Sequence, residues 1–279
     1  MPDNLYVDNI IKTALSEDMP SGDVTTDCII DGNPVSRAVF IAKERGVIAG
    51  IDVAERVFLL LDPGIRFRRN AVDGSHVKEG ETIAEVEGNA GAILKGERTA
   101  LNFMQRLSGI ASRTYEYCEK VRGLPVKITD TRKTTPGLRL LEKYAVRVGG
   151  GCNHRFSLSD GVLIKDNHIK AAGSIKNAVE RARRRVPHTV RIEVETETLD
   201  QVVEAVESGA DVIMLDNMSC GMMKRAVEII GKRALSEASG NVSLGTVYDI
   251  ACTGVDLISI GELTHSVRAL DISLKFVSR

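Results

Sequence analysis

The part of the chain that follows residue 123 repeats a unit of one apolar run and one helical pattern. The runs read VKIT, GVLIK, VRIEVE, DVIMLD, ALSEAS and DLISIG. The last four end on or lead into Glu195, Asp216, Ser239 and Gly261, at intervals of 21, 23 and 22 residues. A unit of that length accommodates one strand, one helix and two short turns. The repeat predicts an α/β barrel, with a doubly wound open sheet as the alternative.

The N-terminal part follows a different pattern. A helical segment from Leu5 to Ser16 precedes a stretch from Val35 to Leu94, in which alternating apolar and polar residues predict strands separated by turns. Apolar residues at helical spacing between Gly96 and Gly123 then predict an amphipathic helix. Arg98 lies at the predicted start of this helix, where a cation gains nothing from the helix dipole, and this favours a role in ligand binding.

The segment from Asp130 to Lys170 is far more basic than its surroundings. It holds eight Lys and Arg residues against four acidic ones, in a chain whose formal net charge is −1. The cationic candidates at predicted strand ends and in the loops beside them are Arg132, Lys133, His154, Arg155 and Lys165. Guanidinium groups bind carboxylates or phosphates bidentately, whereas lysine acts as a mobile point charge. We expect these side chains to form one pocket for a ligand with several anionic groups.

Two acidic residues complete the predicted site. Glu195 and Asp216 follow apolar runs, and a facing pair of carboxylates can hold Mg²⁺ with waters and substrate oxygens, or can bind sugar hydroxyls. Glu195 also alternates with Glu193 along RIEVETE, so a solvated strand face is the alternative interpretation. Cations and carboxylates together indicate a phosphorylated sugar that meets an organic acid.

Two glycine-containing turns follow the last predicted strands. One is ASGN, from Ala238 to Asn241, before the helical pattern SLGTVYDIACTG, and ISIGELTHS repeats the arrangement. Backbone N–H groups at such a helix start can bind phosphate, and the last two units of a barrel frequently hold a site of this kind. Lys165 has an alternative role, because a lysine at a strand end can form a Schiff base.

Composition argues against several other classes of protein. Near-zero net charge is not typical of non-specific nucleic-acid binding, and the absence of Trp with 4% aromatic residues disfavours stacking on single strands. The five scattered cysteines lack CxxC spacing, which favours a reducing compartment over a disulfide framework or a zinc site. No apolar run approaches the length of a transmembrane helix. We therefore expect a cytoplasmic protein with no membrane or nucleic-acid partner.

Long blocks of the chain resemble the quinolinate phosphoribosyltransferase family, also called nicotinate-nucleotide pyrophosphorylase (carboxylating). They are SGDVTTD, GERTALNFMQRLSGIA, TDTRKTTPGLRLLEKYAVRVGGGCNHR, LIKDNH, EVE, IMLDN, EASGN and ISIGELTHS. The resemblance implies an N-terminal α+β sandwich domain over residues 1–112 and an incomplete, TIM-like α/β barrel over residues 113–269, with a tail, 270–279, that packs back on the first domain. The implied reaction joins quinolinate to 5-phosphoribosyl 1-pyrophosphate (PRPP) and yields nicotinate mononucleotide, pyrophosphate and CO₂, with Mg²⁺, in NAD biosynthesis.

The resemblance also implies roles for individual residues. The two carboxylates of quinolinate would be bound by Arg132, His154, Arg155, Lys165 and, from the neighbouring subunit of a homodimer, Arg98. Lys133, with Lys165 nearby, would neutralise the diphosphate. Glu195 and Asp216 would hold the ribose hydroxyls and Mg²⁺. The 5′-phosphate would be bound by Ser239, Gly240, Asn241 and Gly261.

Two departures from the family pattern concern the phosphate turn and a neighbouring loop. Asn241 stands where the family often has a second glycine, and Ser157 stands where glycine is common. Asn tolerates a left-handed backbone, so the turn can survive. Three alternatives remain at this point: a related barrel protein associated with molybdate transport genes, a Schiff-base lyase that uses Lys165, and a ligand-binding regulator without turnover.

Overall fold

The computed structural model describes residues 4–277. Residues 1–3, at the start of the predicted sandwich domain, and residues 278–279, at the end of the predicted tail, lie outside the described residues. The helices are α1 (Asn4–Asp18), α2 (Val24–Ile29), α3 (Ile51–Leu61), α4 (Ala90–Lys120), α5 (Arg139–Val148), α6 (Asp166–Ala172), α7 (Ile175–Arg183), α8 (Leu199–Glu207), α9 (Cys220–Ile230), α10 (Val247–Ala251) and α11 (Glu262–His265). The strands are β1 (Val35–Ala42), β2 (Gly46–Val47), β3 (Arg66–Arg69), β4 (His76–Val77), β5 (Thr82–Asn89), β6 (Lys127–Thr129), β7 (Val162–Ile164), β8 (Ile192–Thr196), β9 (Val212–Asp216), β10 (Leu235–Ser239), β11 (Leu257–Ser259) and β12 (Ile272–Phe276).

The chain forms two compact units that are not continuous in sequence. The first unit takes the residues up to Tyr115, Thr134–Gly150 and the residues from Leu263 onward. The second unit takes Glu116–Lys133 and Gly151–Glu262. The α+β and α/β character predicted for the two parts of the chain is confirmed, whereas a domain boundary after residue 112 stays a prediction.

The first unit contains an antiparallel sheet with the strand order β12-β1-β5-β3. Strand β12 belongs to the segment predicted as a returning tail, and it pairs with β1 so that Phe276 lies opposite Ala38. Phe40, Phe58 and Phe67 pack together with ring centroids 6.0 to 6.3 Å apart, which concentrates apolar area in the core of this unit.

Helix α4 begins earlier than the sequence pattern predicts. The Asn89 side chain accepts a hydrogen bond from the backbone N–H of Ala92 at 2.9 Å, so Asn89 caps a helix that starts directly after β5. Arg98 therefore lies more than two turns inside the helix, and its predicted position at the helix start is wrong. Its side chain is exposed.

Three consecutive glycines, residues 149–151, follow helix α5, and the first of them has a packing role. Helix α5 ends at Val148, and a Cβ on the following Gly149 would lie 2.4 Å from the carbonyl oxygen of Ala111 and 2.7 Å from the Cβ of Thr114. Only glycine allows this close approach of two backbones. Within the first unit, Gly149 therefore serves helix packing.

The second unit is a six-stranded parallel sheet with the strand order β6-β11-β10-β9-β8-β7. Consecutive strands from β7 to β11 are neighbours, and β6 pairs with β11, so β6 and β7 form the two edges of an incomplete barrel. Hydroxyls of Ser174, Thr198 and Ser219 cap the helices α7, α8 and α9. The predicted alternation of strands and helices is confirmed.

No helix among residues 4–277 is both long enough and apolar enough to cross a membrane. The five cysteines are all free thiols. Burial, with a smaller effect of Cys152, raises the pKa of Cys118 to about 11, which makes this thiol a poor nucleophile.

Candidate active site

A cavity of about 580 Å³ opens among the strand ends and following loops of the second unit. Its wall contains Thr131, Arg132, Lys133, His154, Arg155, Leu163, Lys165, Glu195, Met214, Asp216, Asn217, Glu237, Ser239, Gly240, Asn241 and Ser259. Ten of the residues singled out from the sequence are thus brought together. Gly261, which follows β11, is not among the wall residues, and Arg98 belongs to the first unit.

Two arginines in the cavity wall have guanidinium groups that the protein does not satisfy. The Nε atoms of Arg132 and Arg155 are shielded from solvent and have no hydrogen-bond partner. Nη1 of Arg155 donates to the carbonyl oxygen of Gly161 at 2.9 Å, which fixes the plane of the group. Burial lowers the pKa of Arg155, and the positive charge of Arg132 lowers it further. Two adjacent, underpaired cations favour an anionic ligand.

The loop that carries His154 is held by a fully buried carboxylate at the end of β6. Oδ1 of Asp130 accepts the backbone N–H of His154 at 2.8 Å, and Oδ2 accepts Nδ2 of Asn153 at 2.6 Å. This loop has no regular secondary structure, so the hydrogen bonds to the Asp130 side chain fix the position of its backbone.

His154 is part of a cluster with two buried acidic residues at the base of the cavity. Its Nε2 lies 2.9 Å from Oε2 of Glu193 and 3.7 Å from Oε1 of Glu237. Glu193 and Glu237 are 7% and 1% exposed, so the strand face that carries Glu193 is not solvated. The possible metal-ligand atoms of these three side chains all lie within 4.8 Å of one another. No other such group of His, Cys, Asp or Glu residues is found among residues 4–277.

Lys165 and Glu195 form an ion pair across the ends of β7 and β8. Nζ of Lys165 donates to Oε2 of Glu195 at 3.0 Å, with 48% and 14% of the two side chains exposed. The backbone N–H of Lys165 donates to Nδ1 of His168 at 3.0 Å, so His168 supports the start of α6. Lysine and glutamate thus present charges of both signs to the cavity.

A chain of side-chain amides connects Asp216 with the glycine turn after β10. Oδ2 of Asp216 accepts Nδ2 of Asn217 at 2.9 Å, and Oδ1 of Asn217 accepts Nδ2 of Asn241 at 3.1 Å. Asn217, Gly240 and Asn241 all have positive φ, at 54°, 93° and 50°. Asn217 was not among the residues singled out from the sequence. The sequence feature that could have identified it is the Asp216-Asn217 pair directly after an apolar run. Asn tolerates the left-handed backbone conformation that the chain adopts at this position.

The helix expected directly after this turn differs from the prediction. Helix α10 begins at Val247 and has five residues, and α11 has four. The residues between Asn241 and Val247 form a loop in which Ser243 and Thr246 exchange hydrogen bonds. A helix this short has a weak dipole, so any phosphate here is held by the turn itself and not by a helix N-terminus.

Gly240→Ala is expected to distort this turn. A Cβ at Gly240 would lie 2.2 Å from Oδ1 of Asn217, and the φ of 93° strains any L side chain. We expect the free energy of unfolding to fall by about 1–3 kcal/mol and the affinity for a phosphorylated ligand to fall with it. Denaturant titration and a phosphate-binding assay measure the two effects.

Gly245→Ala is the matched control, because Gly245 has no positive φ and its added Cβ would meet Ser243 Oγ at an ordinary 3.7 Å. Equal stability and equal phosphate affinity in both variants would contradict the role assigned to Gly240.

A parallel α/β sheet with a cavity lined by cations and carboxylates at the carboxyl ends of its strands is typical of barrel-type enzymes. The model of the quinolinate phosphoribosyl transferase C-terminal domain matches residues 110–275, and that of the N-terminal domain matches residues 23–108. The chain belongs to the quinolinate phosphoribosyltransferase family.

Individual relatives agree along nearly the whole chain. A probable nicotinate-nucleotide pyrophosphorylase (carboxylating) of Bacillus subtilis (strain 168) is 46% identical over 271 residues, which are 97% of this chain and 93% of that protein. Quinolinate phosphoribosyltransferase (decarboxylating) 2b, mitochondrial, of Nicotiana tabacum is 46% identical over 95% of this chain and 81% of its own. The crystal structure of NadC from Streptococcus pyogenes superimposes with a TM-score of 0.95 at 43% identity, covering 100% of this chain and 99% of that one.

Proposed function

We propose that this chain transfers the phosphoribosyl group of PRPP to quinolinate and releases pyrophosphate and CO₂, to give nicotinate mononucleotide for NAD biosynthesis. The observation that carries this assignment is the pair of guanidinium groups of Arg132 and Arg155 in one cavity, each with a solvent-shielded Nε atom that has no hydrogen-bond partner. Nucleotide formation from PRPP with quinolinate, measured against nicotinate, tests it. We expect product with quinolinate, and turnover of nicotinate alone would contradict the assignment.

The dicarboxylate substrate fits the basic side of the cavity. Arg132 and Arg155 offer guanidinium N–H groups, and His154 lines the same wall in contact with the buried acidic residues. Two carboxylates on adjacent ring carbons match two neighbouring cations, and each charge-assisted hydrogen bond is stronger than a neutral one. Lys165 would add a mobile charge, available to both the organic acid and the diphosphate.

PRPP would occupy the opposite side of the cavity. Lys133 and Lys165 would neutralise the diphosphate leaving group, and the 5′-phosphate would lie against the turn after β10. That turn presents Ser239, Gly240 and Asn241, and Gly261 is the further candidate beyond the wall residues. Asn217 positions this turn through its hydrogen bond with Asn241.

The carboxylate pair fits both ribose hydroxyls and Mg²⁺. Lys165 engages Oε2 of Glu195, and Asn217 engages Oδ2 of Asp216, which leaves Oε1 and Oδ1 for a ligand. Mg²⁺ uses few protein carboxylates and keeps substrate oxygens and waters in its shell, so two carboxylates are a sufficient set. The ion would supply charge neutralisation on the diphosphate.

The reaction needs no protein nucleophile, because the ring nitrogen of quinolinate attacks the anomeric carbon. The protein aligns the two substrates and stabilises charge, and these two effects contribute most of the rate acceleration in reactions of this kind. Glu195 and Asp216 place negative charge near a carbon that becomes positive as the diphosphate departs. Once the ring nitrogen is quaternary, it accepts the electron pair left by CO₂.

The Schiff-base alternative is disfavoured by the ion pair at the end of β7. Nζ of Lys165 donates to Glu195, and an amine engaged in this way is not a free nucleophile. Lys165 and the other cations of the cavity wall favour quinolinate over the substrate of a molybdate-associated homologue. The carboxylate pair disfavours a regulator without turnover, because simple anion sensing has no use for it.

We also infer a homodimer in which Arg98 completes the partner's site. Arg98 is exposed on α4, in the unit that does not contain the cavity. An Arg98→Ala subunit mixed with an Arg132→Ala subunit would form one intact site per hybrid dimer. At quinolinate concentrations well below the KM of the variants, we expect each variant alone to be nearly inactive. An equal mixture should regain about a quarter of the activity of the same amount of wild-type protein, because random association makes half of the dimers hybrids with one intact site out of two. Absence of any regain after subunit exchange would contradict a shared site.

A cytoplasmic location is the last element of the proposal. The five free thiols support it, because disulfides are rare in reducing compartments. Fractionation of cells that produce the full chain tests this location.

A further inference from the structure

The base of the cavity holds an acidic residue, Glu237, that has no part in binding either substrate. Glu237 is 1% exposed, lies in the cavity wall, and its Oε1 atom is shielded from solvent without a hydrogen-bond partner. The nearest cation, Nε2 of His154, lies 3.7 Å from that oxygen, beyond hydrogen-bond distance. Burying a carboxylate with so weak a partner is costly, whereas a neutral carboxylic acid is tolerated far better.

The charged and polar groups around Glu237 decide its proton occupancy. Burial has the largest effect on its pKa, followed by the negative charge of Glu193, and both raise it. His154 and the hydroxyl of Ser259 lower the pKa, and Asp130 raises it slightly, with a resulting value of about 7. Glu237 therefore retains its proton to a higher pH than an ordinary glutamate does, and a substantial fraction of the molecules carries it near neutral pH.

The proposed reaction requires a proton at one defined atom. When the bond between ring carbon C2 and its carboxyl group breaks, CO₂ leaves and the electron pair stays on C2 beside the quaternary nitrogen. Nicotinate mononucleotide carries hydrogen at that carbon. One proton must therefore reach C2 in each turnover.

We propose that Glu237 is the acid that protonates C2 in the decarboxylation step, and that His154 relays its replacement from solvent. The O–H bond of Glu237 breaks as the C2–H bond forms, and the carboxylate that remains lies 3.7 Å from Nε2 of His154. His154 is 12% exposed at its side chain and lines the cavity, so it connects the buried acid with solvent. Glu193, hydrogen-bonded to the same Nε2 atom, holds the imidazole in place.

This inference rests on the proposed function and is tested by comparing two products of one turnover. Enzyme in excess is mixed with PRPP and quinolinate labelled in the 2-carboxyl group, and pyrophosphate and labelled CO₂ are followed by rapid quench. In the wild type the two appear in step. In Glu237→Gln we expect pyrophosphate at close to the wild-type rate and CO₂ about 10²-fold more slowly, with accumulation of the dicarboxylated nucleotide.

The pH dependence gives a second readout. Because the donor must be protonated, the wild-type rate of CO₂ release should fall as the pH rises above about 7, and Glu237→Gln should lack this limb. Glu237→Asp keeps a carboxyl group and should restore part of the rate. If the wild-type enzyme forms no nucleotide, the proposed function is refuted. If the wild type is active, the behaviour of the Glu237 variants alone decides whether Glu237 is the proton donor.

Ser236→Ala is the matched control for structural disturbance on the same strand. It removes a buried hydrogen bond to Asp256 and leaves the cavity wall unchanged, so pyrophosphate and CO₂ should remain in step. The proposal is overturned if Glu237→Gln releases both products in step, whether at the wild-type rate or with an equal loss of both.

Discussion

Arg132→Ala is expected to raise the KM for quinolinate by about 30- to 700-fold, with little change in the KM for PRPP. Removing one partner of a desolvated charge pair costs about 2–4 kcal/mol, and each 1.4 kcal/mol corresponds to a factor of ten. The Nε of Arg132 has no hydrogen-bond partner in the protein, so the fold loses little when the guanidinium is removed. Initial rates over a matrix of both substrates separate the two KM values.

The matched control is Arg184→Ala, also in the second unit. Arg184 is 79% exposed and pairs with Glu180 at 3.6 Å, an interaction that is worth little in water. Its loss should leave both KM values unchanged. Arg132→Lys keeps the charge but loses the fork of donors, so an intermediate KM is expected. An unchanged quinolinate KM in Arg132→Ala would refute the carboxylate-binding role.

Glu195→Gln is expected to lower kcat by about 10²–10³-fold, because it removes a negative charge that faces the developing positive charge at the anomeric carbon. The substitution preserves shape, but it also deprives Lys165 of the partner that lies 3.0 Å from its Nζ. Because Glu195 is also proposed to hold the ribose hydroxyls and Mg²⁺, the KM for PRPP should rise as well. Single-turnover rates at saturating substrates measure the loss directly.

The control for Glu195 is its near neighbour on the same strand edge. Glu197 is exposed and lies outside the cavity wall, so Glu197→Gln should retain the wild-type kcat. A kcat loss of similar size in both variants would show that net charge at this edge, and not the position of Glu195, controls the rate.

The strand-end residues were predictable because one physical rule places them. Parallel strands present their carboxyl ends at one edge, so Lys165, Glu195, Asp216 and Ser239 could be assigned to one cavity from the spacing of apolar runs alone. The same reasoning could not place His154 and Arg155, which lie in a loop without periodicity. Their assignment came from local charge and from the family resemblance. The structure adds what holds them in place, which is the buried Asp130 for His154 and the carbonyl oxygen of Gly161 for Arg155.

Burial was the feature that the sequence could not supply. Glu237 lies two residues before Ser239 on β10, and alternation along a strand puts both on one face, yet a glutamate in an apolar run is compatible with either face of the sheet. The predicted start of α4 was wrong for a related reason. Helix α4 follows β5 without a turn, so the sequence gives no sign that Asn89 caps a helix. Arg98 was therefore assigned to the wrong position on that helix.

The proposed substrate is a dicarboxylate that loses one carboxyl group in the same cavity in which it is joined to a phosphoribosyl group. The most direct measurement is the stoichiometry of nucleotide, pyrophosphate and CO₂ formed by the purified full chain from PRPP, Mg²⁺ and quinolinate labelled in the 2-carboxyl group. We expect one of each per turnover, and no nucleotide from nicotinate under the same conditions. Nucleotide that retains the labelled carboxyl as the final product, or efficient use of nicotinate, would contradict this assignment.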